Sequence, residues 1–97
     1  MKYSLVTTPA ARRSLKKLPK AIKQILVDTC QKLTDHPLSG KKLAPPWHKF
    51  RSLKFKQSNT EYRVIYEVIT KHHEVVIHYA ASRENFYREL SQLQLKS

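Results

Sequence analysis

From Phe50 to Tyr79 much of the chain alternates apolar and polar residues with a period of two, a pattern that antiparallel strands with one buried and one wet face satisfy. Leu53 and Phe55 alternate with Ser52, Lys54 and Lys56. After the polar turn Gln57-Ser58-Asn59-Thr60, Tyr62, Val64, Tyr66 and Val68 take one face, and Arg63 and Glu67 take the other. Paired as a hairpin, these two strands carry Lys54, Lys56 and Arg63 on the same side. A third apolar run, Val75-Val76-Ile77-His78-Tyr79, leads into Ser82-Arg83-Glu84-Asn85-Phe86-Tyr87, bringing a further cation and a phenol to the end of the sheet. A basic face with an aromatic beside it suits phosphates and bases.

The flanking segments supply the other layer. Tyr3 to Thr7 is rich in β-formers and predicts a first strand. Thr8-Pro9 is a helix start, with a hydroxyl to cap and a proline pre-set for the first turn. Ala11, Leu15 and Leu18 follow at helical spacing, among Arg12, Arg13, Lys16 and Lys17. Pro19 opens a second helix, whose stripe is Ile22, Ile25, Leu26, Thr29, Cys30 and Leu33. The pair reads as a helical hairpin on one face of the sheet, its basic outer residues a solvated surface. Gly40, the only glycine, predicts a sharp or left-handed backbone position. Lys41 to Lys49 reads as a loop, with Trp47 pinning it to the core rather than stacking on a base. Phe86, Leu90 and Leu93 predict a closing amphipathic helix from about Arg83 to Leu95. The expected architecture is α+β, one domain over residues 1–97: a strand, a helical hairpin, three further antiparallel strands and a C-terminal helix.

Ninety-seven residues suffice for one modest core. A net charge of +12 on so short a chain points to a polyanion or an acidic partner. The single cysteine, Cys30, excludes an internal disulfide, fits a reducing cytoplasm, and reads as a core residue. No apolar run approaches the roughly 18 residues that span a membrane, and the N-terminus lacks the apolar region of a signal peptide. A cytoplasmic, soluble protein with no membrane partner is expected. No His, Cys or carboxylate set has metal-ligand spacing and no glycine-rich loop cradles a nucleotide, so neither metal nor cofactor is expected. Among the histidines, His72-His73 falls in a turn and His78 in an apolar strand. His48, just before the basic strand, is the one placed to rival a lysine as acid or base.

Six stretches together carry a family likeness: Thr8-Pro9-Ala10 with Leu15-Lys16-Lys17-Leu18-Pro19; Pro37-Leu38-Ser39-Gly40-Lys41-Lys42-Leu43; Arg51-Ser52-Leu53-Lys54; Tyr62-Arg63-Val64-Ile65-Tyr66-Glu67-Val68; and Ser82-Arg83-Glu84-Asn85-Phe86-Tyr87. Over nearly its whole length the chain resembles the RelE/ParE-superfamily toxins of bacterial type II toxin–antitoxin systems, on the RelE-like branch. The resemblance implies a ribosome-dependent, metal-independent endoribonuclease that cuts messenger RNA in the ribosomal A site by 2′-hydroxyl attack on the adjacent phosphate. It implies roles for Lys54 as base, Arg63 as phosphate holder, Arg83 as charge support or proton donor, and Tyr87 as the residue that orients the RNA. Lys56 or Arg51 would be the second substrate-binding cation of the strand. The turn from Gln57 to Glu61 departs from the family pattern, reading longer and lacking glycine, so the choice of base among Arg51, Lys54 and Lys56 stays open. The implied partners are a cognate acidic antitoxin, the ribosome and its mRNA, with operator DNA reached only through the antitoxin complex. The alternatives are a ParE-like DNA gyrase inhibitor without nuclease activity, and a basic RNA-binding module.

The chemistry is also arguable from the residues. Cutting RNA requires a deprotonated 2′-oxygen, a stabilised phosphorane and a protonated 5′-oxygen. Clustered cations supply the second requirement directly. A free lysine is protonated at neutral pH, and moving a pKa from about 10.4 to near 7 corresponds to roughly 4–5 kcal/mol. A lysine base therefore needs other cations beside it. Each residue also has a plainer role: Lys54 and Lys56 as solvated strand charges, Arg63 as the partner of Glu67, Arg83 as a helix start, Tyr87 as packing beside Phe86. Their convergence at one end of the sheet favours the catalytic reading.

Overall fold

The computed structural model describes residues 2–82. Strands β1 (Ser4–Thr7), β2 (Lys41–Lys42), β3 (Arg51–Gln57), β4 (Thr60–Ile69) and β5 (Glu74–Ser82) form one five-stranded sheet, in the order β1-β5-β4-β3-β2. Helices α1 (Pro9–Lys16) and α2 (Lys20–Asp35) connect β1 to β2. The sheet is mixed: β1 runs parallel to β5, while β2–β3, β3–β4 and β4–β5 are antiparallel. The strand β2, inside a segment expected to be a loop, is too short for a periodic signal. The closing helix expected from Arg83 lies outside the described residues.

The helices begin and end where local chemistry dictates. Thr8 caps α1 by accepting the Ala11 N–H at 3.0 Å, and Pro9 occupies the first turn, where no helical hydrogen bond is lost. Pro19 is the N-cap of α2. Both helices pack on one face of the sheet through Ala11, Ile22, Leu26, Cys30 and Leu33, which meet Val64, Tyr66, Val75, Ile77 and Ala80. Burying each large aliphatic side chain contributes about 1.5–3 kcal/mol, so this stripe anchors the sheet. On the opposite face, the chain between β2 and β3 folds back so that Leu43, Trp47 and Tyr79 pack around buried Phe50 and Ile65. Trp47 thus pins its loop, as expected.

The antiparallel register contains one irregularity. Ile65 pairs with Tyr79 and Tyr66 with Ile77, leaving His78 as an extra residue of β5. Such a bulge re-aims the strand beyond it. Val75 and Ile77 pack toward the helices, Tyr79 joins the opposite cluster, and Ala80 returns to the helix side.

Of two expectations about turns, one holds in its first form and one is corrected. Gly40 lies at a bend, the sharp position expected of it, but not in a left-handed conformation, since no glycine has positive φ. It is required by close approach instead: a Cβ there would lie 2.5 Å from the Tyr66 hydroxyl and 2.9 Å from the Ser52 carbonyl oxygen. The β3–β4 connection is tight rather than long. Gln57 pairs with Thr60 across a two-residue turn, and Ser58 and Asn59 supply the two positive φ angles (52° and 67°) that glycine would normally provide.

Candidate nucleic-acid interface

The β3–β4 register places Lys54 directly opposite Arg63, and Lys56 opposite Glu61. Directly opposed side chains lie about 4.5–5.5 Å apart at Cβ, so one rung brings together two of the cations singled out in the sequence. Lys54 and Lys56 are exposed, while Arg63 is half-buried. The Arg63 guanidinium donates from Nε to Glu61 Oε2 at 2.9 Å, an ion pair whose two side chains are 18% and 17% exposed. Glu61, two residues away on the same face, is therefore the carboxylate partner rather than Glu67. Glu67 meets His78 instead, 3.0 Å from Oε1 to Nε2.

Beside the rung lies an open cleft of about 520 Å3, lined by Lys41, Lys42, Ser52, Lys54 and Arg63 among others. Sequence reasoning assigned Lys41 and Lys42 no role. Their signal was their position directly after Gly40, the residue that brings this segment against Ser52 and Tyr66. The Tyr66 hydroxyl fastens the segment by accepting from Gly40 N–H at 2.7 Å and donating to the Pro37 carbonyl at 2.8 Å. Burial pushes the Tyr66 phenol upward, opposed by the Gly40 N–H and by the Arg51 guanidinium.

Arg51 does not join the Lys54–Arg63 rung. It pairs with Tyr66 in the sheet, and its NH1 donates to the Gly40 carbonyl at 2.8 Å. His48 is exposed and lines a second, smaller cleft with Lys42, Lys49, Arg51 and Glu67. His78 is half-buried and packs edge-on against Phe50 with ring centroids 5.1 Å apart, the hydrogen-bonded core histidine its strand suggested. Arg83 and Tyr87 lie outside the described residues. Cys30 is 8% exposed, and burial lifts its thiol from 9.0 to about 11, so it is a packing residue with an unreactive sulfur. Among the described residues no group of three His, Cys, Asp or Glu side chains is arranged to hold a metal ion, and no helix is long and apolar enough to cross a membrane.

Residues 5–91 match the family model of the ParE-like toxin of type II bacterial toxin–antitoxin systems. Among solved structures, the chain is similar to a chain of the RelBE2 toxin–antitoxin complex from Mycobacterium tuberculosis: 30% identity and a TM-score of 0.77, covering 86% of this chain and 100% of that one. The fold is also that of a mutant Escherichia coli toxin RelE in the free state, at 18% identity and a TM-score of 0.75, over 95% of this chain and 98% of that one. The archaeal RelE–RelB complex from Pyrococcus horikoshii OT3 contains a further similar chain, at 24% identity and a TM-score of 0.57, covering 86% of this chain and 97% of that one. No curated protein sequence gives a match. The small mixed sheet backed by a helical hairpin, and a family match running from β1 past the end of β5, agree on one assignment: the chain belongs to the ParE-like toxin family of type II bacterial toxin–antitoxin systems.

Proposed function

We propose that the chain is a ribosome-dependent endoribonuclease that cleaves messenger RNA in the A site. The observation that carries this reading is the Lys54–Arg63 rung opening onto a cleft that also presents Lys41 and Lys42. A phosphate seated there meets several cations from three strands, the arrangement that stabilises a phosphorane. Lys54 takes the 2′-hydroxyl proton, the 2′-oxygen attacks the adjacent phosphorus, and Arg63 and Arg83 share the developing charge. The 5′-oxygen leaves with a proton, Arg83 being the proposed donor, and Tyr87 orients the RNA. Lys56 extends the substrate contact along β3. The products are a 2′,3′-cyclic phosphate and a 5′-hydroxyl, and side-chain cations do the work that a metal does in other nucleases, so chelator leaves the rate unchanged.

The partner is a cognate antitoxin. The similar M. tuberculosis chain was solved in a toxin–antitoxin complex, as was a second, similar E. coli chain in the intact RelBE complex, and a net charge of +12 calls for an acidic docking segment. Contact with operator DNA comes only through that complex. A second reading, inhibition of DNA gyrase without RNA cleavage, is favoured by the ParE-like character of the matching family model. Primer extension on messenger RNA after induction in cells separates the two. Cuts within translated frames are expected; intact messages with broken DNA would transfer the assignment to gyrase.

A further inference from the structure

The two-residue strand β2 separates two clefts, and Lys42 lines both. The second, of about 290 Å3, takes its walls from the end of β4, the start of β3 and the loop before it. Its cations are held by the fold. Lys49 lies with Nζ 5.0 Å from the centroid of the buried Phe50 ring. Arg51 is held through one N–H to the Gly40 carbonyl, which leaves the rest of its five-donor fork for another acceptor. The one acidic lining residue, Glu67, is engaged by His78. His48 completes the rim. Three permanent cations thus face one carboxylate that already has a partner.

The two clefts meet at Lys42. Arg51 and Lys54 are three residues apart on β3, about 10 Å along the strand but on opposite faces of its pleat, so a backbone that touches both passes round the edge strand β2. We propose that the second cleft binds another phosphate of the same single RNA strand, with Lys42, Lys49 and Arg51 as its contacts, so that β2 is straddled by the backbone of the substrate. The proposal rests on the RNA-cleaving reading for its substrate class, but it concerns binding, and binding is measured without cleavage. Because the contact is to a phosphate away from the cut, it contributes equally to ground and transition states and appears in KM, not in kcat.

The test is fluorescence anisotropy with a labelled single-stranded RNA whose 2′-hydroxyls are methylated, over a range of salt, comparing the parent with the Lys49→Ala variant, because Lys49 lines only the second cleft. Lys49 is exposed, and thermal melting confirms that the variant folds. The expected result is several-fold weaker binding, with a log–log salt slope smaller by about 0.7 for each phosphate that the variant no longer neutralises. A dinucleotide that reaches only the Lys54–Arg63 rung should bind parent and variant alike. Equal affinity and slope for the longer RNA would overturn the proposal. So would a variant that keeps RNA binding and loses binding to poly-glutamate, which would make the cleft a dock for an acidic protein. If the parent binds the longer RNA in this two-site manner yet produces no cuts on ribosomes, the nuclease reading fails and the second subsite stands.

Discussion

Arg63 links the fold to the proposed chemistry in one side chain. Its guanidinium is positioned by Glu61 before any substrate arrives, and such preorganisation makes a cation effective at a developing charge. Truncating Arg63 to Ala is expected to lower cleavage by about 10²–10³-fold with the fold intact, and the same holds for Arg83→Ala. Arg63→Lys should recover part of the loss, since a lysine lacks the bidentate fork. Single-turnover cleavage of ribosome-bound message measures both, and parental rates in a folded Arg63→Ala protein would refute its role. Gly40 carries a structural constraint of comparable sharpness. Gly40→Ala forces a methyl against the Tyr66 hydroxyl and the Ser52 carbonyl; overpacking of this kind costs about 1–3 kcal/mol, read as a lower denaturation midpoint. At Cys30 the neutral thiol is favoured by burial, so the native state holds its proton up to about pH 11 while the unfolded chain releases it near 9.0. The stabilisation is complete below pH 9 and declines as pH rises toward 11, by up to about 3 kcal/mol. Denaturant melts across that range, with Cys30→Ala as the comparison, give the slope.

At the scale of the element, the β3–β4 hairpin fixes which residues meet. Its two-residue turn sets Lys54 against Arg63; a one-residue slip would place Lys54 on the wrong face of its partner strand. The turn achieves this with Ser58 and Asn59 at positive φ. Asn tolerates that region, whereas Ser has no special reason to occupy it. Ser58→Gly is therefore expected to raise stability by roughly 0.5–1 kcal/mol, and a lower midpoint in urea would contradict the turn geometry. The bulge at His78 acts in the opposite sense. By inserting one residue into β5 it turns Tyr79 toward Phe50 and Ile65 and frees His78 to hold Glu67.

Across the whole molecule, charge is distributed unevenly. Seven cations, from Lys2 to Lys23, precede the first acidic residue, Asp28, in a chain of net charge +12. Much of the excess therefore sits on the helical layer, where Arg12, Arg13, Lys16, Lys17 and Lys20 lie, while the proposed RNA track lies on the sheet. A field of this size steers acidic partners from a distance, and ionic strength screens it. Association with the antitoxin should slow and weaken as salt rises, which stopped-flow mixing across a salt series measures directly. An affinity flat across that series would instead indicate an apolar groove as the docking mode.

Much of this molecule was legible in one dimension, because period-2 alternation, a capped Thr-Pro start and a 3.6-residue stripe are each local consequences of backbone geometry. They identified β1, α1, α2, β3, β4 and β5, and placed Lys54 and Arg63 on a common face. The remainder depended on interactions between residues far apart in the chain. The strand β2 exists because Gly40 lies against Tyr66 and Ser52. Arg51, on the other face of β3 from Lys54, is fixed where it is by donating to a carbonyl eleven residues earlier in the chain. Glu67, four residues along an extended strand from Arg63, is out of its reach and meets His78 at the bulge of the neighbouring strand. The sequence determined which faces are apolar and which basic, since that follows from spacing alone; only the tertiary structure decided which cations share a cleft, since that follows from register and long-range hydrogen bonds.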